Sequence, residues 1–372
     1  MAQIVKFGND SVSFLKKMLS DKEPKNIFLV TGKDSFIHSG ARDKIEPILN
    51  NYCYFRFFDF ESNPKVEDIE RGVYLFNKNK CDLIIAVGGG SVIDMAKLIN
   101  VFHSEKGKLD QAIISNITKG VVAPFVAIPT TSGTGSEATH FAVSYINKKK
   151  YSVVNNLLLP DTVLINPSFT FTVSPYLTAV TGLDAFAQAI ESYWSVNSNN
   201  ESLEYSKKAI KLLWENLPLA VNKNDEKAKE NISWASHLAG KAINIAKTTA
   251  PHAISYPFTS YYNIPHGHAV ALTLPSFLEF NYNITDNDCN DKRGYAFVKK
   301  NIEDLFILIN TDSKNSKNTL TEFILSLGIE INIKKLIGDN FDTKIILDNI
   351  NAERMKNNPR HVLLTFINNL LK

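Results

Sequence analysis

Residues 83–102 read LIIAVGGGSVIDMAKLINVF, and this stretch decides the fold. The apolar run Leu83–Val87 predicts a buried strand, the three glycines after it predict a tight turn, and Val92–Val101 has a helical pattern. Glycine allows close backbone approach, and a helix N-terminus presents unpaired N–H groups to an anion such as pyrophosphate. The stretch alone leaves a second interpretation open, a plain strand-to-helix turn with Ser91 as the helix N-cap.

Three further apolar runs predict strands on either side of this stretch. They are Ile27–Val30, Tyr54–Phe58 and Phe125–Ile128, and each is followed by turn residues. Longer mixed segments separate the runs, which is typical of parallel strands joined by helices. The first half of the chain therefore predicts an α/β domain whose mostly parallel sheet carries its loops at the carboxyl ends of the strands, where such sheets bind ligands.

The pattern changes to long helices from about Tyr176 onward, and convincing strand runs disappear. Leu183–Ser195, Leu203–Leu217 and Ile232–Ile245 are the clearest of these predicted helices. We therefore predict two domains, an α/β domain over residues 1–180 and an all-α domain over residues 181–372, with a tight boundary near residue 180.

The composition limits the class of protein. The chain has 372 residues, 44% hydrophobic and 21% charged, with a net charge of +3, which is typical of a globular protein and too weakly basic for a nucleic-acid partner. No apolar stretch is long enough to span a membrane, and the N-terminus has no secretion signal. The three cysteines show no CxxC spacing. We expect a cytoplasmic protein with neither a membrane nor a nucleic-acid partner.

A second loop strengthens the phosphate-binding interpretation. Residues 128–139 read IPTTSGTGSEAT and follow another predicted buried strand. Hydroxyl groups and glycine N–H groups suit phosphate and ribose recognition, although a polar surface loop is the alternative. Two such loops on one sheet edge suggest a dinucleotide.

Four residues of the second half form a candidate metal site. Asp184 and Gln188 are four apart in a helical pattern and so share one face. His252 and His266 follow, with Pro265 placed to start the next helix. A carboxylate, a carboxamide and two imidazoles suit a divalent ion, although each histidine taken alone also fits an ordinary buried or surface residue.

Taken together, these motifs resemble the iron-dependent (group III) alcohol dehydrogenase family from Val87 to Pro275. They stand in the family's order and spacing: GGGSVIDMAK at 88–97, IPTTSGTGSEAT at 128–139, GLDAFAQAIESYWS at 182–195 and IPHGHAVAL at 264–272. The resemblance implies the architecture shared with dehydroquinate synthase, an α/β dinucleotide-binding domain followed by a helical domain with a catalytic metal in the cleft between them. It also implies interconversion of alcohols with aldehydes or ketones, and a homodimer.

The resemblance assigns the cofactor, NADPH or NADH, and the metal to particular positions. The residues implied to bind the pyrophosphate, with Asp94 beginning the helix behind it, are Gly88, Gly89, Gly90 and Ser91. Those implied to line the ribose and nicotinamide are Thr130, Thr131, Thr134, Ser136 and Lys150. Asp184, His252 and His266 match three metal ligands, with Fe²⁺ as the expected ion and Zn²⁺, Mn²⁺ or Ni²⁺ as alternatives.

Three positions depart from the family pattern. Gln188 stands where the family usually has a histidine ligand, and a carboxamide oxygen binds more weakly. Tyr256 stands where the family often has a further histidine, so we consider Tyr256, and after it His268, as catalytic proton donors, with water and a cofactor ribose hydroxyl as alternatives. Gly32 replaces an aspartate that favours NAD, with Lys33 beside it, which favours tolerance of NADPH.

The segment before the first downstream histidine points to the substrate. Lys247, Thr248 and Thr249 combine a cation with hydroxyl donors, which suits an anionic aldehyde, although Lys247 also fits a solvated helix surface. Together with Gln188, this segment is similar to the phosphonoacetaldehyde reductase, or hydroxyethylphosphonate dehydrogenase, subfamily. The alternatives are a generic alcohol dehydrogenase of uncharged substrates, a lyase like dehydroquinate synthase, and a non-catalytic nucleotide-binding paralogue with a degenerate metal site.

Overall fold

The computed structural model describes residues 3–105, 107–116, 118, 120–147 and 149–371. The chain divides into two compact units, Met1–Val173 and Ser174–Lys372. The division falls at the start of a long helix, shortly before the predicted boundary near residue 180. It falls there because Ser174 caps this helix, accepting a hydrogen bond from the Leu177 N–H, and Pro175 occupies its first turn.

The described strands all lie in the first unit. They are β1 (Ile4–Phe7), β2 (Ile27–Thr31), β3 (Tyr54–Phe57), β4 (Leu83–Gly88), β5 (Phe125–Pro129), β6 (Phe141–Ile146), β7 (Lys149–Val154) and β8 (Thr162–Ile165). The helices of this unit are α1 (Ser13–Lys22), α2 (Ser35–His38), α3 (Ala41–Leu49), α4 (Val66–Lys78), α5 (Gly90–Phe102) and α6 (Leu109–Ile114). The four predicted strands are confirmed to within one residue at each end.

Six strands form a parallel sheet in the order β1-β8-β5-β4-β2-β3, and β6 and β7 form an antiparallel hairpin. The central strands are buried along their whole length, with side chains that alternate between two apolar layers. Phe28 and Ile84 face the layer of α4 and α5, whereas Ile27 and Leu83 face the layer of α1 and α3. The predicted α/β fold is therefore confirmed, with helices on both faces of the sheet.

The second unit is helical, as predicted. Its helices are α7 (Pro175–Trp194), α8 (Asn200–Asn222), α9 (Glu226–Ala246), α10 (Ala250–Tyr262), α11 (His266–Ala271), α12 (Leu274–Tyr282), α13 (Tyr295–Leu308), α14 (Ser316–Ser326), α15 (Ile333–Ile337), α16 (Thr343–Asp348), α17 (Ala352–Met355) and α18 (Leu364–Leu370). One apolar cluster joins them, with α7 buried along most of its length. No helix among the described residues is both long enough and apolar enough to cross a membrane.

Candidate functional site

The two predicted phosphate-binding loops start side by side on the sheet. Gly88 at the end of β4 pairs with Pro129 at the end of β5, and the Thr130 N–H donates to the Gly88 carbonyl at 3.1 Å. Gly32 follows β2, the neighbour of β4 on its other side. The chain runs outward from β2 to β3 and then returns to β4, so this edge is the switch point at which open α/β sheets bind ligands.

The two loops lie so close together that side chains in place of two of the glycines would crowd the threonine-rich loop. A Cβ atom added to Gly90 would lie 2.6 Å from the Thr134 hydroxyl, and one added to Gly89 would lie 3.1 Å from that of Thr131. Thr130 is buried, and its hydroxyl finds no hydrogen-bond partner among the described residues. A buried hydroxyl beside the open turn of a helix N-terminus fits a ligand that carries phosphate and ribose groups.

Both carboxylate oxygens of Asp94 accept hydrogen bonds from other residues of the first unit. The resemblance places it at the beginning of the helix, but α5 begins at Gly90, with Gly89 as its N-cap, so Asp94 lies in the second turn. One of its oxygens accepts from the Ser136 hydroxyl, and the other accepts from the Val143 N–H at 3.0 Å. Burial raises the pKa of Asp94, and the positive charges of Lys97 and Lys150 act against this effect. Asp94 therefore anchors the second loop and the hairpin that carries Lys150.

Lys97 is a second anchor, which the sequence analysis did not single out. Its side chain is fully buried, and its Nζ donates to the carbonyls of Ser136, Thr139 and Phe141 at 2.6 to 2.9 Å. Burial lowers the pKa of Lys97 to about 8. These three bonds fix the course of the threonine-rich loop, because one buried ammonium group holds three of its backbone carbonyls together.

Three of the four predicted metal ligands come together in the second unit. Asp184 lies on α7, His252 on α10 and His266 at the start of α11, and one potential ligand atom from each lies within 4.8 Å of the others. His252 Nε2 is 3.2 Å from Asp184 Oδ1, and His266 Nε2 is 4.0 Å from the same oxygen. Pro265 precedes the first residue of α11 as its N-cap, one position earlier than predicted.

Hydrogen bonds orient both imidazoles toward Asp184. His252 Nδ1 contacts Glu191, a fully buried carboxylate two turns after Asp184 on α7. Ser255 donates its hydroxyl hydrogen to the His252 carbonyl, so its oxygen is the acceptor for His266 Nδ1 at 3.4 Å. In both rings the remaining nitrogen, Nε2, is therefore the one that faces Asp184 and that would ligate a metal there after losing its proton, as the partners of metal-binding histidines usually arrange.

A glycine lets α11 reach α7. A Cβ atom on Gly267 would lie 1.9 Å from the Val180 carbonyl oxygen and 3.0 Å from the Asp184 Cβ. The backbone of Val180 cannot move aside within a buried helix. Gly267 thus permits the contact that brings its neighbour His266 to Asp184.

The charges around His252 favour a cation. Burial alone lowers the pKa of His252, but Glu191 and Asp184 outweigh burial and raise it to about 10. Gln188, one turn after Asp184, is also buried, at 4% exposure. A buried carboxylate with two oriented imidazoles fits a divalent ion of the iron or zinc type. Whether Gln188 is a fourth ligand stays a prediction.

The two predicted proton donors lie in different surroundings. The ring of Tyr256 stacks on that of His266, with centroids 5.7 Å apart and planes 25° apart. Buried His268 contacts the Tyr176 hydroxyl through Nδ1 at 3.2 Å and the Glu330 carbonyl through Nε2 at 2.6 Å. Proton donation by His268 would require one of these bonds to break, and the role of either residue as proton donor stays a prediction.

The predicted substrate segment 247–249 leads directly into α10. Thr249 is fully buried, and its N–H and hydroxyl both donate to Glu191, at 2.6 and 2.8 Å. Thr248 is buried too, and its carbonyl accepts from the Asn357 side chain. Lys247 is half-buried at φ 64° and ψ 167°, a backbone region that is nearly restricted to glycine.

Comparison with known proteins agrees with this arrangement. Residues 2–167 match the family model of the iron-containing alcohol dehydrogenases, and residues 178–372 match the model of the C-terminal domain of the Fe-containing alcohol dehydrogenase family. The chain belongs to the iron-containing alcohol dehydrogenase family. It is 26% identical to sulfoacetaldehyde reductase from Bifidobacterium kashiwanohense, solved in complex with NAD⁺, with a TM-score of 0.88 over 99% of this chain and 96% of that one.

Relatives known by sequence match over shorter stretches. Long-chain-alcohol dehydrogenase 1 of Geobacillus thermodenitrificans is 35% identical over 68% of this chain and 65% of its own length. Aldehyde-alcohol dehydrogenase 2 of Entamoeba histolytica is 32% identical over 74% of this chain and 33% of its own length. The chain thus spans less than two thirds of either relative.

In this member of the iron-containing alcohol dehydrogenase family, the sequence analysis missed two residues that support the site: Glu191, which orients a candidate metal ligand, and Lys97, which holds the threonine-rich loop. Glu191 stands seven residues after Asp184, a spacing that returns to the same helix face and was a usable signal. Lys97, three residues after Asp94 in the helix that follows the glycine turn, offered no such signal. Its role depends on carbonyls about forty residues away along the chain.

Proposed function

We propose that this chain is a metal-dependent oxidoreductase that uses NADH or NADPH to reduce a small anionic aldehyde to a primary alcohol. The observation that carries the proposal is the cluster of buried Asp184, buried His252 and partly exposed His266, in a chain that belongs to a family of alcohol dehydrogenases. The joined loops after β4 and β5 support a dinucleotide cofactor. The Bifidobacterium enzyme, solved with NAD⁺, supports the same cofactor class.

The chain's own residues prepare the reaction. Asp184, His252 and His266 would hold the metal, Glu191 and Ser255 fix the two imidazoles, and Tyr256 is the candidate to give its hydroxyl proton to the product oxygen. When bound, the metal supplies Lewis acidity toward a carbonyl oxygen and the reduced nicotinamide supplies hydride. Fixed groups of this kind favour the transition state, in which negative charge develops on the oxygen.

For the substrate we propose phosphonoacetaldehyde, which would be reduced to 2-hydroxyethylphosphonate. Burial first, and then the positive charge of Arg354, lower the pKa of Lys247 to about 8. Two basic side chains therefore lie near each other, one of them just before α10, the helix that carries His252. A strained backbone at such a lysine is typical of functional sites. Sulfoacetaldehyde, on which the Bifidobacterium enzyme acts by its name, is also a small aldehyde with an anionic head group.

The test measures NADH and NADPH oxidation by metal-reconstituted protein with phosphonoacetaldehyde, sulfoacetaldehyde and propanal at matched concentrations. We expect phosphonoacetaldehyde to be preferred. Lys247→Met should raise the KM for phosphonoacetaldehyde about tenfold, because removing one charged hydrogen-bonding group weakens binding by about that factor. The same change should leave propanal reduction unchanged. Lys208→Met, at an exposed lysine of α8, is the matched control and should change neither rate.

Each other outcome selects an alternative. Preference for propanal would make the protein a generic alcohol dehydrogenase and remove the substrate assignment. If protein that contains metal oxidised neither NADH nor NADPH with any of the three aldehydes, a non-catalytic nucleotide-binding paralogue would be supported. Turnover without net oxidation of the cofactor would indicate chemistry like that of dehydroquinate synthase.

A further inference from the structure

Arg56 of β3 is tied to the loop that follows β2. Its Nε donates to the Thr31 hydroxyl at 2.9 Å, and its Nη2 donates to the carbonyls of Gly32 and Lys33 at 3.2 and 3.3 Å. The strands run side by side, with Leu29 paired to Arg56. These bonds place a guanidinium at the carboxyl end of β2, beside the strand that leads into the glycine turn.

Two aromatic rings hold this guanidinium. Its central carbon lies 4.8 Å from the centroid of Phe36, which is fully buried, and 4.5 Å from that of Phe58. Burial lowers the pKa of Arg56, and the opposing charges of Glu46 and Arg42 from α3 add smaller effects. Stacking and hydrogen bonds together pre-organise the cation, so an incoming anion would lose little entropy in binding it.

This corner has cations but no carboxylate paired with them. Among the described residues, neither Arg56 nor Lys33 lies in an ion pair, and Nη1 of Arg56 donates no hydrogen bond. Lys33 is exposed, and Gly32 supplies no side chain at the position between Thr31 and Lys33. A Cβ atom at Gly32 would in addition lie 2.1 Å from the Ser35 hydroxyl.

We propose that Arg56, assisted by Lys33, binds a phosphate on the 2′-hydroxyl of the adenosine ribose and so makes this chain prefer NADP(H) to NAD(H). The inference rests on the proposed dinucleotide site. In sheets of this type the ribose lies at the end of the strand beside the phosphate-binding turn. An acidic residue there accepts hydrogen bonds from the ribose hydroxyl, and an arginine there accommodates a 2′-phosphate. The Nη1 group of Arg56, which donates no hydrogen bond within the described residues, can donate charge-assisted hydrogen bonds to phosphate oxygens.

The test compares 2′,5′-ADP with 5′-AMP by isothermal titration calorimetry on the full chain, because these probes differ by the 2′-phosphate and bind without turnover. We expect 2′,5′-ADP to bind about tenfold more tightly or better, as one or two charge-assisted hydrogen bonds should give. Arg56→Gln should abolish this preference while leaving the affinity for 5′-AMP within twofold of wild type. Arg42→Gln, a neighbouring cation on α3, is the matched control and should preserve the preference.

A second variant guards against misfolding of the first. Lys33→Gln lies at an exposed position and should weaken 2′,5′-ADP binding alone, by a smaller factor. Equal affinities of the wild-type protein for the two probes would overturn the inference and leave the dinucleotide site standing. The inference would also be overturned if a folded Arg56→Gln protein lost affinity for both probes by the same factor. That result would mean that Arg56 only holds the loop after β2 in its conformation. Binding of neither probe would instead contradict the proposed function itself.

Discussion

At the scale of single residues, Glu191 decides how well the metal ligands are aimed. Its carboxylate accepts from the Thr249 N–H and hydroxyl and contacts His252 Nδ1, all in a fully buried setting. Glu191→Gln keeps the shape but removes the charge and one acceptor, so the His252 ring loses its fixed orientation. We expect metal affinity to fall by about 10- to 100-fold, the usual effect of losing such a partner, measured with Zn²⁺ against a chromogenic chelator.

The control for this change is Glu215→Gln, which removes the same charge from an exposed position of α8. It should leave Zn²⁺ affinity unchanged, and both proteins should keep the far-UV circular dichroism of the wild type. If Glu191→Gln bound Zn²⁺ as tightly as the wild type, the buried carboxylate would have no part in holding His252 for the metal.

At the scale of elements, the site depends on how closely α11 lies against α7. Gly267→Ala would place a methyl group 1.9 Å from the Val180 carbonyl oxygen, so α11 has to move away and take His266 with it. We expect a loss of about 1 to 3 kcal/mol in the free energy of unfolding, typical of overpacking, together with a drop in Zn²⁺ affinity. Urea denaturation and chelator competition measure the two effects. Unchanged metal affinity in this variant would show that α11 does not position the ligand.

The same scale shows what the sequence could predict. Strands β2, β4 and β5 are continuous apolar runs, a pattern that buried parallel strands impose, and they were predicted closely. Strand β1 is exposed at three of its four residues, and the hairpin of β6 and β7 is mixed in polarity, so neither gave a clear pattern. Likewise, the spacing of Asp184 from Gln188 gave one helix face, whereas the contacts of Lys97 and Arg56 depend on pairings that only the folded sheet creates.

At the scale of the whole molecule, the candidate metal ligands and the candidate phosphate-binding loops belong to different compact units. Each ligand should therefore stabilise its own unit, because a group that binds the native state suppresses the local openings that release that group. Hydrogen–deuterium exchange checks this expectation. Zn²⁺ should slow exchange in peptides from α7, α10 and α11, and NADPH should slow it in residues 88–91 and 130–139.

Variants make the two responses separable. Asp184→Ala and His266→Ala should lose the response to Zn²⁺ and keep the response to NADPH, because they leave the glycine turn and the threonine-rich loop untouched. Both should also lose turnover while remaining folded, since each removes one of the three candidate metal ligands. Protection of residues 88–91 by Zn²⁺ alone, or turnover that survives both substitutions, would contradict the assignment of the metal to the second unit.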